Sequence, residues 1–453
     1  MSRLDQVMAD LDYLRISILT VYLSYPQFVL FMTRYLFPLL LLIFKDSQAQ
    51  YLPQAMALTN ATIIDAGHRT PLEHQTIIIN KGRIAEIIPT GSKGLPDTVM
   101  VINLAGKYVL PGLIDSHVHL ATDPSGVDGR EHTLDVLQRM LYSGVTTVRD
   151  MAGDGRVLAG LSRDANLGII VSPDIYYSAL MAGAVFFSDP RTATSTQGGS
   201  NGHMPYMQAI TDSTDLKIAV AQAKGSGASG IKLYANLSCR QAAEIITEAR
   251  RQQMPVWAHA WLQDAKPSDL VKSGILSLSH APLLIREKVP QIPAEWKKGT
   301  HPSSFWDNAT PDLDSLFALM KQYHTILDAT ILTYKDWADA DSTVRWDYET
   351  GRRLTARAYK AGVMICAGTD IDQKEFVQSE MQLLIKDAAF TTIDAIIAAT
   401  RNSACALDLG ARKGLVKVNM DADLLIVDAN PIENIENIKK VFLVVKGGRI
   451  YGK

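Results

Sequence analysis

After Gln50, short runs of Ile and Val alternate with breaks at Gly, Asn and Lys-Gly: "ATIIDAG", "QTIIINKGRIAEII" and "VMVINLAGKYVLPG". This pattern predicts antiparallel strands joined by tight turns. The same texture returns at the far end in "ADLLIVDAN" and "VFLVVKGGRIYGK", where "VKGGRI" echoes the earlier "NKGRI". One small β-sandwich domain built from both chain ends, residues 55–110 and 405–453, accounts for the echo; two separate terminal sheets are the alternative. Between them, across 111–404, eight apolar strand segments alternate with amphipathic helical stretches such as "HTLDVLQRMLYSG" and "CRQAAEIITEARRQQ". The strands are "GLIDSHVHL", "VTTVRDM", "DIYYSAL", "GIKLYAN", "PVWAHA", "LSLSHA", "TILDATIL" and "VMICAGTD". Strands apolar on both faces, each followed by a helix, predict an α/β fold: a (β/α)8 TIM-like barrel inserted into the β-domain.

Two stretches depart from the repeat: Gly183 to Met207 after the third strand, and Leu283 to Asp312 after the sixth. Long segments without regular structure in a compact domain are usually lids or binding loops. In a barrel they fall on the C-terminal face, where active sites are built.

Residues 1–49 follow neither pattern. Ile16 to Phe44 is strongly apolar but interrupted by Pro26, Gln27 and Arg34, which argues against one uninterrupted spanning helix. From Met32, a basic start at Arg34, an apolar core from Tyr35 to Phe44, and Ser47 and Ala49 before Gln50 fit a secretory signal over 32–49. This predicts an exported protein, periplasmic or extracellular, with residues 1–31 an upstream extension; a retained membrane anchor is the alternative, and the membrane is met only through this segment.

Charge narrows the partners. The 45 basic and 47 acidic residues leave a formal charge of −2 without a long basic run, so nucleic acid is not an expected partner, whereas a small-molecule substrate is. A homo-oligomer is compatible with the sequence. Cys239, Cys366 and Cys405 are scattered without a C-x-x-C pair, so a bound metal would be held by nitrogen and oxygen.

Such ligands exist. His117 and His119 are two apart on a strand and face the same side. His259, His280 and Asp370 each stand at the C-terminal edge of their own strand, and Lys232 lies inside the fourth, where an unpaired ammonium would be costly to bury. A packed core histidine, a helix N-cap or a snorkelling lysine explains any one of these alone. All six at matching strand ends point to one site.

In these residues the chain resembles the amidohydrolase superfamily, in its two-metal, carboxylated-lysine branch of imidazolonepropionase-like and prolidase-like enzymes. "PGLIDSHVH" is similar to the family's opening motif and "AGTD" to its closing aspartate, and the resemblance runs from about Ala55 to Lys453. It implies that His117, His119 and Asp370 bind the more buried of two divalent ions, that His259 and His280 bind the second, and that Lys232 bridges both as a carbamate. Zinc is the expected metal. Two departures stand out: "AHAWLQD" where relatives read H-A-H-G, which puts Trp261 near the mouth, and Ser279-His280 in place of Glu-His.

The resemblance implies a metal-bridging hydroxide attacking a carbonyl, with Asp370 passing the proton to the leaving nitrogen. Tyr234, two residues beyond Lys232 on the same face, is a candidate to hydrogen-bond the carbonyl; a packed barrel tyrosine is the alternative. His203, Arg191 and His301, in the long loops, are candidates for a substrate carboxylate, and Arg149 and Asp150 for bracing the barrel mouth. The expected reaction is C–N hydrolysis of a cyclic amide, an N-acyl amino acid or an Xaa-Pro-like dipeptide. A lactonase or phosphoesterase on the same scaffold is the runner-up, and an exported binding protein without catalysis is the alternative of another class.

Overall fold

The computed structural model describes residues 55–122, 129–288, 312–370 and 376–452. The signal-like segment and His301 lie outside the described residues. Strands β1 (Ala55–Ile63), β2 (Leu72–Asn80), β3 (Arg83–Pro89), β4 (Met100–Asn103) and β5 (Tyr108–Pro111) open the chain. Strands β16 (Leu424–Val427), β17 (Val441–Lys446) and β18 (Arg449–Tyr451) close it. All eight form one sheet in the order β18-β17-β16-β5-β1-β2-β3, with β4 also on β1. The seam between chain ends is β5 antiparallel to β16, with Leu110 opposite Leu425.

The echoed turns meet in space. A Cβ on Gly82, at φ 75°, would stand 2.9 Å from the Gly447 carbonyl oxygen, and one on Gly448 2.9 Å from Gly82 Cα. Both turns need left-handed backbone and mutual close approach, which glycine supplies without a steric clash. The sheet packs its own apolar cluster, including Leu58, Ile77, Ile84, Leu424 and Val445.

The barrel strands are β6 (Leu113–Val118), β7 (Val145–Asp150), β8 (Asp174–Gly183), β11 (Gly230–Leu233), β12 (Val256–His259), β13 (Ser277–Ser279), β14 (Ile326–Asp328) and β15 (Ile365–Cys366). Each pairs with the next in parallel from β6 through β15. Two hydrogen bonds close the ring, Ser116 N–H to the Ala367 carbonyl at 3.0 Å and Asp370 N–H to the His117 carbonyl at 2.8 Å. The TIM-like barrel with an added β-domain is therefore the observed fold.

Outside the ring, Cys239–Arg251 illustrates why the helices form where they do. Ser238 and Gln241 make a reciprocal capping box, and Ala242, Ile245, Ile246 and Ala249 recur at helical spacing on the buried side. The stretch from Gly183 to Met207, expected without regular structure, instead carries a 3₁₀ turn (Ala184–Ser188), one helical turn (Arg191–Thr194) and the short β9 (His203–Met204). Strand β10 (Met207–Ile210) then pairs in parallel with β8. Met181 and Ala182 at the end of β8 supply the pairing edge that holds this segment over the barrel mouth.

Candidate active site

His117, His119, Lys232, Tyr234, His259, His280 and Asp370 line one cavity of about 620 Å³. The barrel brings them there because each lies at or just beyond the C-terminal end of its strand, where side chains turn inward to the mouth. His117 and His119 stand at the end of β6, with ring centroids 5.4 Å apart. The rings of His259 and His280, on neighbouring strands, are 4.2 Å apart.

Three donor atoms from His117, His119 and Asp370 lie within 4.8 Å of one another. Their partners set the ring orientations. His117 Nδ1 is 2.7 Å from Asp328 Oδ2, and His119 Nδ1 is 3.1 Å from the Ala152 carbonyl oxygen. A carboxylate and a carbonyl only accept, so each Nδ1 carries a proton, which leaves Nε2 as the nitrogen through which each ring can ligate. Those two Nε2 atoms face Asp370 Oδ1 at 3.4 and 3.1 Å. Three such groups converging on one point repel one another unless a cation or a shared proton sits between them. Imidazole nitrogen with carboxylate oxygen is a ligand set that suits zinc and similar divalent ions.

A proton can take the cation's place. Burial by itself would lower the His119 pKa, but the Asp370 carboxylate overrides it and holds the ring up at about 9, so at neutral pH the metal-free ring also carries a proton on Nε2 toward Asp370, which a ligated ion would displace. Burial would raise Asp370, yet His117, His119 and His280 keep its carboxyl well below the usual range. Burial drives His280 down to about 3 and His259 well down, so both rings are neutral and able to ligate. Lys232 is almost wholly buried, donates to Ser279 Oγ at 3.1 Å, and is lowered by burial to about 7. The Ser279-His280 pair thus has a use for its serine.

Tyr234 packs edge-on against His259, with centroids 4.1 Å apart, and against Phe186 at 4.8 Å. Burial raises its pKa, keeping the phenol a donor. Arg191 lines the same cavity, beside Tyr234, and is paired with Asp189 at 2.6 Å. His203 is exposed on β9 and is not among the lining residues, because the hairpin turns it outward. Trp261 does not narrow the mouth: its indole N–H donates to the Gln263 carbonyl and its ring lies beneath the Arg286 guanidinium, 4.7 Å away. Arg149 and Asp150 are fully buried braces, Asp150 accepting from the Leu120 amide at 2.5 Å.

Several contributors escaped the sequence reading. Asp328 ends β14 and holds His117; Thr330 Oγ1 shares a hydrogen bond of 2.9 Å with His280 Nδ1. Phe186, Tyr334 and Trp337 supply an aromatic wall, the last two 5.3 Å apart on the helix Ile331–Ala340. The i, i+3 spacing of that tyrosine and tryptophan directly after a barrel strand was the one signal available.

Residues 108–451 match the amidohydrolase family. The chain is 26% identical over 444 residues to ochratoxinase of Aspergillus niger, covering 86% of this chain and 85% of that protein. It is 34% identical over 130 residues to enamidase of Eubacterium barkeri, covering 27% of this chain and 31% of that protein. Among solved structures, a Xaa-Pro dipeptidase with bound methionine in its active site matches at a TM-score of 0.71 and 21% identity, over 88% of this chain and 100% of that one. The A. niger ochratoxinase structure matches at 0.70 and 21%, over 88% and 96%. With a family match that spans the whole barrel and the closing strands β16 to β18, the chain belongs to the amidohydrolase family, hydrolases of carbon–nitrogen bonds.

Proposed function

We propose that this protein is a two-metal amidohydrolase that cleaves the amide of an N-acyl amino acid or a related dipeptide carrying a large apolar group. The observation that carries the reading is the single cavity in which six candidate ligands, one guanidinium and an aromatic wall meet. His117, His119 and Asp370 would hold one ion, His259 and His280 the other, and Lys232, as a carbamate, would bridge them. Bound there, divalent ions such as zinc supply an acidified water and a Lewis acid for the amide carbonyl.

The chain's own side chains do the rest. Asp370, kept ionised by the surrounding imidazoles, takes a proton from the attacking water and returns it to the leaving nitrogen. Tyr234 donates its phenolic hydrogen to the carbonyl oxygen, where negative charge grows during attack. Arg191 pairs with the substrate carboxylate. Phe186, Tyr334 and Trp337 cover the apolar group and exclude water from the reacting bond. The names of the relatives, ochratoxinase and Xaa-Pro dipeptidase, support an amide or peptide substrate over an ester.

The test is a panel of N-acyl amino acids, Xaa-Pro dipeptides, lactones and phosphoesters, assayed on chelated and zinc-reconstituted protein at equal metal loading. The expected result is amide hydrolysis that is lost on chelation and restored by zinc. Full activity after chelation, or lactone or phosphoester turnover exceeding amide turnover, would overturn the reading.

A further inference from the structure

Behind His117, outside the residues that line the cavity, lies a buried carboxylate to which the proposed reaction assigns no step. Asp328 is fully buried at the end of β14, and donors surround both its oxygens. Oδ2 lies 2.7 Å from His117 Nδ1, 3.0 Å from Ser279 Oγ and 3.3 Å from an Arg149 Nη; Oδ1 lies 3.3 Å from Ser116 Oγ. Arg149, itself fully buried, is held from the other side. Its Nε donates to the Ser116 carbonyl at 2.6 Å, its second Nη to the Ala406 carbonyl at 3.0 Å, and its plane lies 4.8 Å from the Trp257 ring. A buried carboxylate needs such a counter-charge to stay ionised.

We propose that Asp328 is the positioning residue of the site: it fixes the His117 ring with the proton on Nδ1 and the Nε2 lone pair toward the cavity, with Arg149 as its counter-charge. The inference rests on the metal reading for its purpose, since a ligating histidine must present an unprotonated nitrogen. Its geometry stands apart from that reading. Asp328 also reaches a second candidate ligand, because Ser279 Oγ donates to Asp328 and accepts from Lys232 Nζ. One carboxylate therefore orients side chains on β6 and, through a serine, on β11. The backbone makes room for it: a Cβ on Gly368 would stand 2.5 Å from Asp328 Oδ1 and 2.6 Å from His117 Cβ.

Replacing Asp328 by Asn keeps the shape but removes the charge: a neutral amide oxygen accepts from His117 Nδ1 more weakly than a carboxylate, so it holds the proton on Nδ1 less firmly and makes Nε2, the nitrogen that should ligate, a weaker base. Two measurements test this. In the metal-free parent, long-range ¹H–¹⁵N correlation on histidine-labelled protein, assigned by loss of signals in His117→Gln, should report the Nδ1–H form. In Asp328→Asn, zinc affinity measured by chelator competition should fall by about 10- to 100-fold. A parent His117 protonated at Nε2, or an Asp328→Asn protein with parental zinc affinity, overturns the proposal. Should that variant not fold, the parent spectrum decides alone. A parent that takes up no zinc defeats the metal reading, while the spectrum of the metal-free chain still decides the positioning claim.

Discussion

The Asp370 amide donates to the His117 carbonyl oxygen across 2.8 Å, so the chain's last candidate ligand is tied by its backbone to its first. Asp370 adopts a φ of 50°, a left-handed conformation that a non-glycine residue holds only when its surroundings impose it. The barrel closure therefore aims the carboxylate. Asp370→Asn keeps the backbone bond and the shape while removing the charge. Turnover should fall by about 10²- to 10⁴-fold in protein whose thermal transition shows it to be folded. Steady-state kinetics with thermal melting check this, and near-parental kcat would remove Asp370 from the proton path.

Arg191 lines the cavity and its side chain is 73% exposed, so the proposed pairing with a substrate carboxylate would be screened by water. Arg191→Ala should raise KM about two- to fivefold for carboxylate-bearing amides and leave kcat within a factor of about two. The same substrates with the carboxylate blocked as an amide should show no change. Equal losses on both would assign Arg191 to the loop's architecture.

Trp337 stands half exposed against Tyr334 at the cavity. Removing its ring takes away one aromatic contact of about 1 kcal/mol. Trp337→Ala should therefore lower kcat/KM about fivefold for substrates with an aromatic acyl group and much less for acetyl analogues. Competition assays between the two substrate types measure the ratio, which stays parental if the helix merely borders the cavity.

On the opposite face, Asp174 bridges Lys413 and Lys446, each at 2.8 Å, where the closing sheet meets the barrel. Both ammonium groups are almost wholly buried, and Asp423 also pairs with Lys413. Asp174→Asn leaves more buried positive charge than negative, at a cost of about 3–5 kcal/mol. Urea unfolding should show a midpoint lowered accordingly, with activity per folded molecule unchanged. An unaltered midpoint would mean that water reaches these groups.

Glu380 is buried and accepts from the Ile331 and Leu332 amides at 3.0 and 2.8 Å, capping the helix that bears Tyr334 and Trp337. Burial raises its pKa from 4.5 to about 8. The folded chain then holds this proton more tightly than the unfolded chain does. Its contribution to stability is whole below about pH 4.5 and is lost as pH rises through about 8. Between about pH 6 and pH 9 the parent's melting midpoint should drop further than that of Glu380→Gln, by at least about 2 °C. Parallel curves would show that Glu380 is ionised throughout.

Much of the architecture was legible because its signals are local. Parallel strands buried on both faces read as apolar runs, and β6 is buried at all six positions. The paired histidines, the lysine inside β11 and the aspartate after β15 each stood out as polar residues in such runs. The stretch from Gly183 to Met207 read as an irregular loop because β9 and β10 are only two and four residues long, and the strand that anchors them, β8 beside β10, lies earlier in the chain.

Along the chain, then, backbone periodicity was enough to announce a barrel, its added sheet and the residue types gathered at the mouth. It could not say which nitrogen of His117 bears a proton, because the carboxylate responsible is 211 residues away. Nor could it tell Asp328 in "TILDATIL" from any other strand residue, or Arg191 at the cavity from His203 turned away from it. Those distinctions depend on burial and on partners from other strands, which exist only once the ring has closed.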